Sequence, residues 1–158
     1  MPKATLTIVG GPDSKSLDYW EGLLMRVRDE RLDNIRFVGR HDEVNPFLAQ
    51  FRVFVMVSDR QGCPNASLEA MAMGLPVVAN ADGGTAEQVV DGVAGFLADQ
   101  PDKMAERVAE LLSNQALRRT MGAAARKIAR ERFSMESSVE AYGQLFGQSC
   151  VAEELKTS

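Results

Sequence analysis

Residues 61–84 read Q-G-C-P-N-A-S-L-E-A-M-A-M-G-L-P-V-V-A-N-A-D-G-G, and this stretch concentrates the side chains able to do chemistry. Glu69 stands between Leu68 and Ala70, which places it on the apolar side of a short helix. A carboxylate in such a position needs a hydrogen-bonding partner, and a bound polyhydroxy ligand is one candidate. Asn65, Ala66 and Ser67 open the same helix, whose free backbone N–H groups favour anions. The Ser67 hydroxyl would add a further donor for such an anion, while Asn65 and Ser67 also fit the plainer role of helix caps. Cys63 has no basic partner nearby in sequence to activate it as a nucleophile. His41 lacks metal-ligand spacing around it and reads as an exposed loop residue.

The elements that must position these groups follow from apolar runs and their stops. Leu6–Val9 reads as a strand ending at Gly10-Gly11-Pro12-Asp13, a strong turn signal. A helix is expected over 14–29, with Leu17, Trp20, Leu24 and Val27 on one face. A second strand covers 35–38 up to Gly39, and a short helix 45–51. The near-continuous apolar run 53–57 reads as a strand covered on both faces. The helix at 66–73 should end at Gly74 in a left-handed cap, with Pro76 blocking continuation. A strand at 76–79, a Gly83-Gly84 turn, a short helix at 85–90 carrying a surface Glu87, and a strand at 95–98 follow. The last third is helical, with core stripes at Met104, Val108, Leu111, Leu112 and at Leu117, Met121, Ala125, Ile128. Ser134 is placed to cap a final helix bearing Val139, Tyr142, Leu145 and Phe146, with a frayed tail over 149–158.

Strands alternating with helices predict an α/β fold, a Rossmann-like parallel sheet with helices on both faces. Ligands of such sheets bind beyond the carboxyl ends of the strands, the edge that collects Gly10-Gly11, Gly39-Arg40, 58–65 and 80–84. At 158 residues one domain is expected, over 1–148. The net charge of −4 without a basic run argues against nucleic acid as a partner. Two cysteines in unrelated contexts and no signal-like start fit a reducing cytoplasm.

With these residues in view, the chain resembles, from Thr5 to about Phe146, the C-terminal, nucleotide-sugar-binding domain of retaining GT-B glycosyltransferases of the "glycosyl transferases group 1" family. The 61–84 block carries the resemblance, and Ile8-Val9-Gly10-Gly11-Pro12, Phe37-Val38-Gly39, Val53-Phe54-Val55 and Val90-Asp91-Gly92 follow in the family's order. The family's signature is two Glu residues separated by seven; here Gln61 holds the first position and Glu69 the second. The resemblance implies a metal-independent hexosyltransferase without a cofactor, acting on a UDP- or GDP-sugar. Glu69 would grip the ribose hydroxyls and Gln61 the sugar hydroxyls, without the negative charge a Glu would offer a cationic transition state. Gly62 and Cys63 would present backbone N–H groups to the sugar. Asn65, Ala66 and Ser67 would hold the diphosphate, Gly39 and Arg40 the base, and Gly10 and Gly11 would allow close approach of the ligand.

The family's domain begins one βα unit earlier, so its first strand and the Arg- and Lys-bearing loop after it are expected to be absent here. The acceptor-binding N-terminal domain would be absent too. An isolated piece would then bind donor without transferring it, any membrane-surface association would run through the absent domain, and Tyr142, Leu145 and Phe146 would be left to promote self-association. Two other readings stand beside this one. A sugar-nucleotide epimerase-like domain shares the scaffold but lacks the spaced acidic positions, and a non-catalytic binding or interaction module would explain Gln61.

Overall fold

The computed structural model describes residues 4–12, 16–57 and 62–154, with side chains as far as residue 147. The chain divides into two compact units, Met1–Phe47 and Leu48–Ser158.

The first unit pairs β1 (Leu6–Val9) with β2 (Ile35–Gly39) in parallel, Leu6 opposite Ile35 and Ile8 opposite Phe37. Between them runs α1 (Leu17–Asp29), which sets the edge of Trp20 against Phe37 with ring centroids 5.1 Å apart. The face expected to be apolar and buried is only partly so. Trp20 and Val27 are half-buried, while Leu17 and Leu24 remain 50% and 40% exposed. A two-stranded ribbon offers too little area to cover a four-turn helix, and no residue of α1 is buried. Helix α2 (Asn45–Leu48) closes this part of the chain one turn shorter than expected.

The second unit holds a parallel sheet of β3 (Phe54–Met56), β4 (Val77–Ala79) and β5 (Gly95–Leu97), in that spatial order. Its helices are α3 (Asn65–Ala72), α4 (Thr85–Gln88), α5 (Pro101–Ser113), α6 (Gln115–Arg132) and α7 (Met135–Glu154). Central β4 alternates its side chains between two cores. Val77 and Ala79 meet Met71, Val89, Ala125 and Ala129, whereas Val78 meets Phe96, Leu111 and Met121. Helices therefore cover both faces, as expected of a Rossmann-like layer. The same expectation fails at β3, where Val55 reaches the surface and Val57, just beyond the strand, is 72% exposed. Strand β3 borders the described sheet, so its apolar run is not enclosed as β4 is. Among the described residues no helix is long and apolar enough to cross a membrane.

Two glycines lock α3 to α6. Gly74 follows α3 with φ +79°, the left-handed stop expected from the sequence. Gly122, in the middle of α6, packs so closely on Gly74 that a Cβ there would lie 3.1 Å from the Gly74 carbonyl carbon and nearer still to its oxygen. At the start of α7, the Ser137 N–H donates to Ser134 Oγ at 3.1 Å, the cap expected there.

The glycines of α6 and α7 should respond oppositely to one substitution. Gly122→Ala is expected to cost about 1–3 kcal/mol in denaturant unfolding, because backbone must move to admit the methyl group. Gly143→Ala, where a Cβ meets nothing within 4 Å, is expected to stabilise by about 0.5–1 kcal/mol. Equal effects at the two sites would contradict the packing described.

Candidate functional site

Helix α3 begins where Pro64, extended at φ −73° and ψ 123°, turns the chain into the first helical residue. Pro64, the N-cap residue, has no capping side chain to offer. The first-turn N–H groups of α3 carry the anion preference of a helix N-terminus. Asn65 and Ala66 are exposed at this turn. The helix buries Ser67, Ala70 and Met71, one stripe at i, i+3 and i+4, toward the core.

That stripe corrects two expectations. Glu69 is not on the apolar side: it lies about 200° round the helix from Ser67 and is exposed. Its carboxylate is open to a ligand instead of being compelled by burial to find one. Ser67 is not an exposed donor either. Its side chain has no solvent-accessible surface, and its hydroxyl donates to Gln88 Oε1 and lies 2.9 Å from the Pro64 carbonyl oxygen.

Gln88, which the sequence did not single out, organises this corner. It is 0% exposed at the end of α4, and its Nε2 donates to Cys63 Sγ at 2.9 Å and to the Pro64 carbonyl at 3.2 Å. The one available signal was rotational. If Glu87 faces water on a short helix, Gln88 stands about 100° round and, with Thr85 and Val89, turns inward. Gly84 completes the arrangement by donating its N–H to the Gly62 carbonyl at 3.0 Å. Gly84 has φ −67°, so the glycine is needed here for close approach: a Cβ would stand 2.8 Å from Cys63 Cα. Gly62 and Cys63 are both exposed, and Cys63 is a free thiol.

The remaining candidates gather within the first unit, at the carboxyl ends of β1 and β2. Gly10 (φ +131°) donates to the Gly39 carbonyl at 2.8 Å, and Gly39 itself has φ +78°. These conformations favour glycine at both positions. Arg40 is exposed, and its Cγ would lie 3.9 Å from a Cβ at Gly11. His41 is exposed, as expected, with Nε2 2.9 Å from the Val38 carbonyl and its ring against Phe47. Gln61 lies outside the described residues.

The arrangement in the second unit is a helix N-terminus opened by a proline, an accessible carboxylate on that helix, and a glycine-containing loop fixed from behind. Comparison with known proteins gives this corner a context. Residues 1–114 match the family described as Glycosyl transferases group 1. The chain belongs to this family.

Among curated relatives of this group 1 chain, N-acetyl-alpha-D-glucosaminyl L-malate synthase of Bacillus anthracis is 31% identical over 152 residues, 91% of this chain and 40% of that protein. Crystalline Anabaena Alr3699/HepE in complex with UDP matches with a TM-score of 0.87 at 24% identity, over 94% of this chain and 42% of that one. TarM of S. aureus, in a complex with Fondaparinux, alpha-GlcNAc-glycerol and UDP, matches with a TM-score of 0.79 at 26% identity, over 90% of this chain and 29% of that one. The fold is therefore that of the C-terminal domain of a GT-B glycosyltransferase. The chain spans less than half the length of these relatives.

One buried group near the corner lacks a partner among the described residues: Thr85 Oγ1. Thr85→Val keeps the shape and removes the unsatisfied hydroxyl, so it is expected to raise unfolding stability by about 1 kcal/mol. A loss of that size would mean that the hydroxyl is bonded.

Proposed function

We propose that this group 1 chain is the donor-binding domain of a retaining, metal-independent glycosyltransferase that takes a nucleoside-diphosphate sugar. The observation that carries the reading is α3, which begins at a proline that cannot cap it and carries an exposed carboxylate two residues after Ser67. Backbone N–H groups at Asn65, Ala66 and Ser67 would receive the diphosphate. Glu69, an acceptor-only group, would take both ribose hydroxyls. Gly62 and Cys63 would donate backbone N–H groups to the sugar, with Gln61 reaching its hydroxyls. UDP in the TarM and HepE complexes supports a uridine donor, and a GDP-sugar would satisfy the same groups.

Transfer would require an acceptor-binding region in a longer protein, operating in the cytoplasm, so that residues 1–148 alone would bind donor without turnover. Fixed dipoles at α3 would take the place of a cation in steadying the leaving diphosphate. The Gln at position 61 favours a second reading, a sugar-nucleotide-binding module without transfer chemistry; such a module would bind donor equally well yet stay inactive beside an acceptor domain. The apolar face of α7, where Val139, Tyr142 and Phe146 are all exposed, would drive self-association of the isolated chain. Sedimentation showing a monomer at every concentration would exclude that last point.

Calorimetric titration with UDP-glucose tests the donor-binding reading. Loss of a charge-assisted hydrogen bond is worth about 1.5–3 kcal/mol, so Glu69→Ala is expected to weaken binding roughly 10- to 100-fold. Unchanged affinity in that variant, or no binding by the parent chain, would defeat the assignment.

A further inference from the structure

We propose that Gln88 and Gly84 are positioning residues that set, from behind, where the loop at residues 62–63 stands. The assignment rests on the donor-binding reading above, in which this loop faces the sugar.

The physical argument is that the loop is held against movement in both directions. Outward movement would break the bonds from Gln88 Nε2 to Cys63 Sγ and the Pro64 carbonyl, and the bond from the Gly84 N–H to the Gly62 carbonyl. Inward movement is blocked because the backbone of residues 62–63 already rests on Gly84, closely enough to exclude a Cβ there. The anchor itself is firm. Gln88 is 0% exposed, its Oε1 is satisfied by the Ser67 hydroxyl, and the next residue, Val89, is 1% exposed in the core.

A buried primary amide is costly unless its groups are bonded, and an apolar side chain would have filled the same space without that requirement. Here the amide spends its bonds on residues of one segment: Cys63, Pro64 and Ser67. Gly84 adds an independent sign. Its φ is one that any residue adopts, so the absence of a side chain serves the loop lying on it and not the turn containing it. Two residues on one short segment thus fix a loop some 20 positions earlier in the chain. The groups they hold are Gly62 and Cys63, which are exposed. The consequence for a ligand is selective. The diphosphate and ribose contacts are assigned to residues of α3, whereas the sugar contacts are assigned to residues 62–63 themselves.

Two variants separate positioning from general structural support. Gly84→Ala pushes the loop outward while keeping an allowed backbone; Gln88→Met keeps the volume and removes the amide. UDP affinity is expected to stay within about twofold of the parent in Gly84→Ala, while the preference for UDP-glucose over UDP falls about tenfold. In Gln88→Met, iodoacetamide should modify Cys63 several-fold faster, as followed by mass spectrometry at that residue. Thermal melting confirms that each variant is folded. Equal weakening of UDP and UDP-glucose, or an unchanged preference in folded Gly84→Ala, overturns the proposal. So does an unchanged Cys63 alkylation rate in Gln88→Met. If the parent chain binds neither nucleotide, the donor-binding reading fails, and the alkylation rates still decide whether Gln88 holds the loop.

Discussion

The arrangement of the second unit depends on a strand with no surface at all. Val77, Val78 and Ala79 are inaccessible to solvent, and alternate residues serve two separate cores. Because β3 and β4 run parallel and adjacent, their carboxyl ends leave the sheet side by side. The chain leaving β3 leads into α3, and the chain leaving β4 leads into α4. The contacts between residues 62–67 and 84–88 are therefore contacts between two neighbouring strand exits. Ligand sites of open parallel sheets form at this edge.

Much of this order was legible because the chain punctuates itself strongly. Gly74 and Pro76 mark the end of α3 and the approach to β4; the observed φ of +79° at Gly74 is what a glycine there permits. Ser134 marks the start of α7 in the same way. Reading burial was harder. The runs at 53–57 and 77–79 are equally apolar, yet one lies at the border of the described sheet and the other at its centre. Local composition carries no information about which neighbours a strand will have. In α1 the stripe of Leu17, Trp20, Leu24 and Val27 has helical spacing, but spacing cannot say how much partner surface exists to cover it.

The elements that carry the candidate residues were legible, and the facing of Glu69 and Ser67 was not. Flanking Leu68 and Ala70 placed Glu69 with the apolar residues, although on a helix neighbours in sequence lie about 100° apart. Ser67, Ala70 and Met71 define the buried stripe, and Glu69 falls opposite it. Rotation on its helix hinted that Gln88 turns inward, but its partners could not be read, since they lie 21 to 25 positions earlier in the chain. Gly84 was visible as part of a turn signal, but the reason for a glycine at that position is the nearby loop backbone.

The mutual hold of these two segments bears on how such a site can diverge. A change at 62–64 that alters the path of the loop meets the unyielding backbone at Gly84, and a side chain gained at 84 displaces the loop. A substitution in one segment therefore bears on the path of the other. For anyone grafting a new specificity onto this scaffold, the transplantable unit is discontinuous: residues 62–67 together with 84–88, moved as one piece.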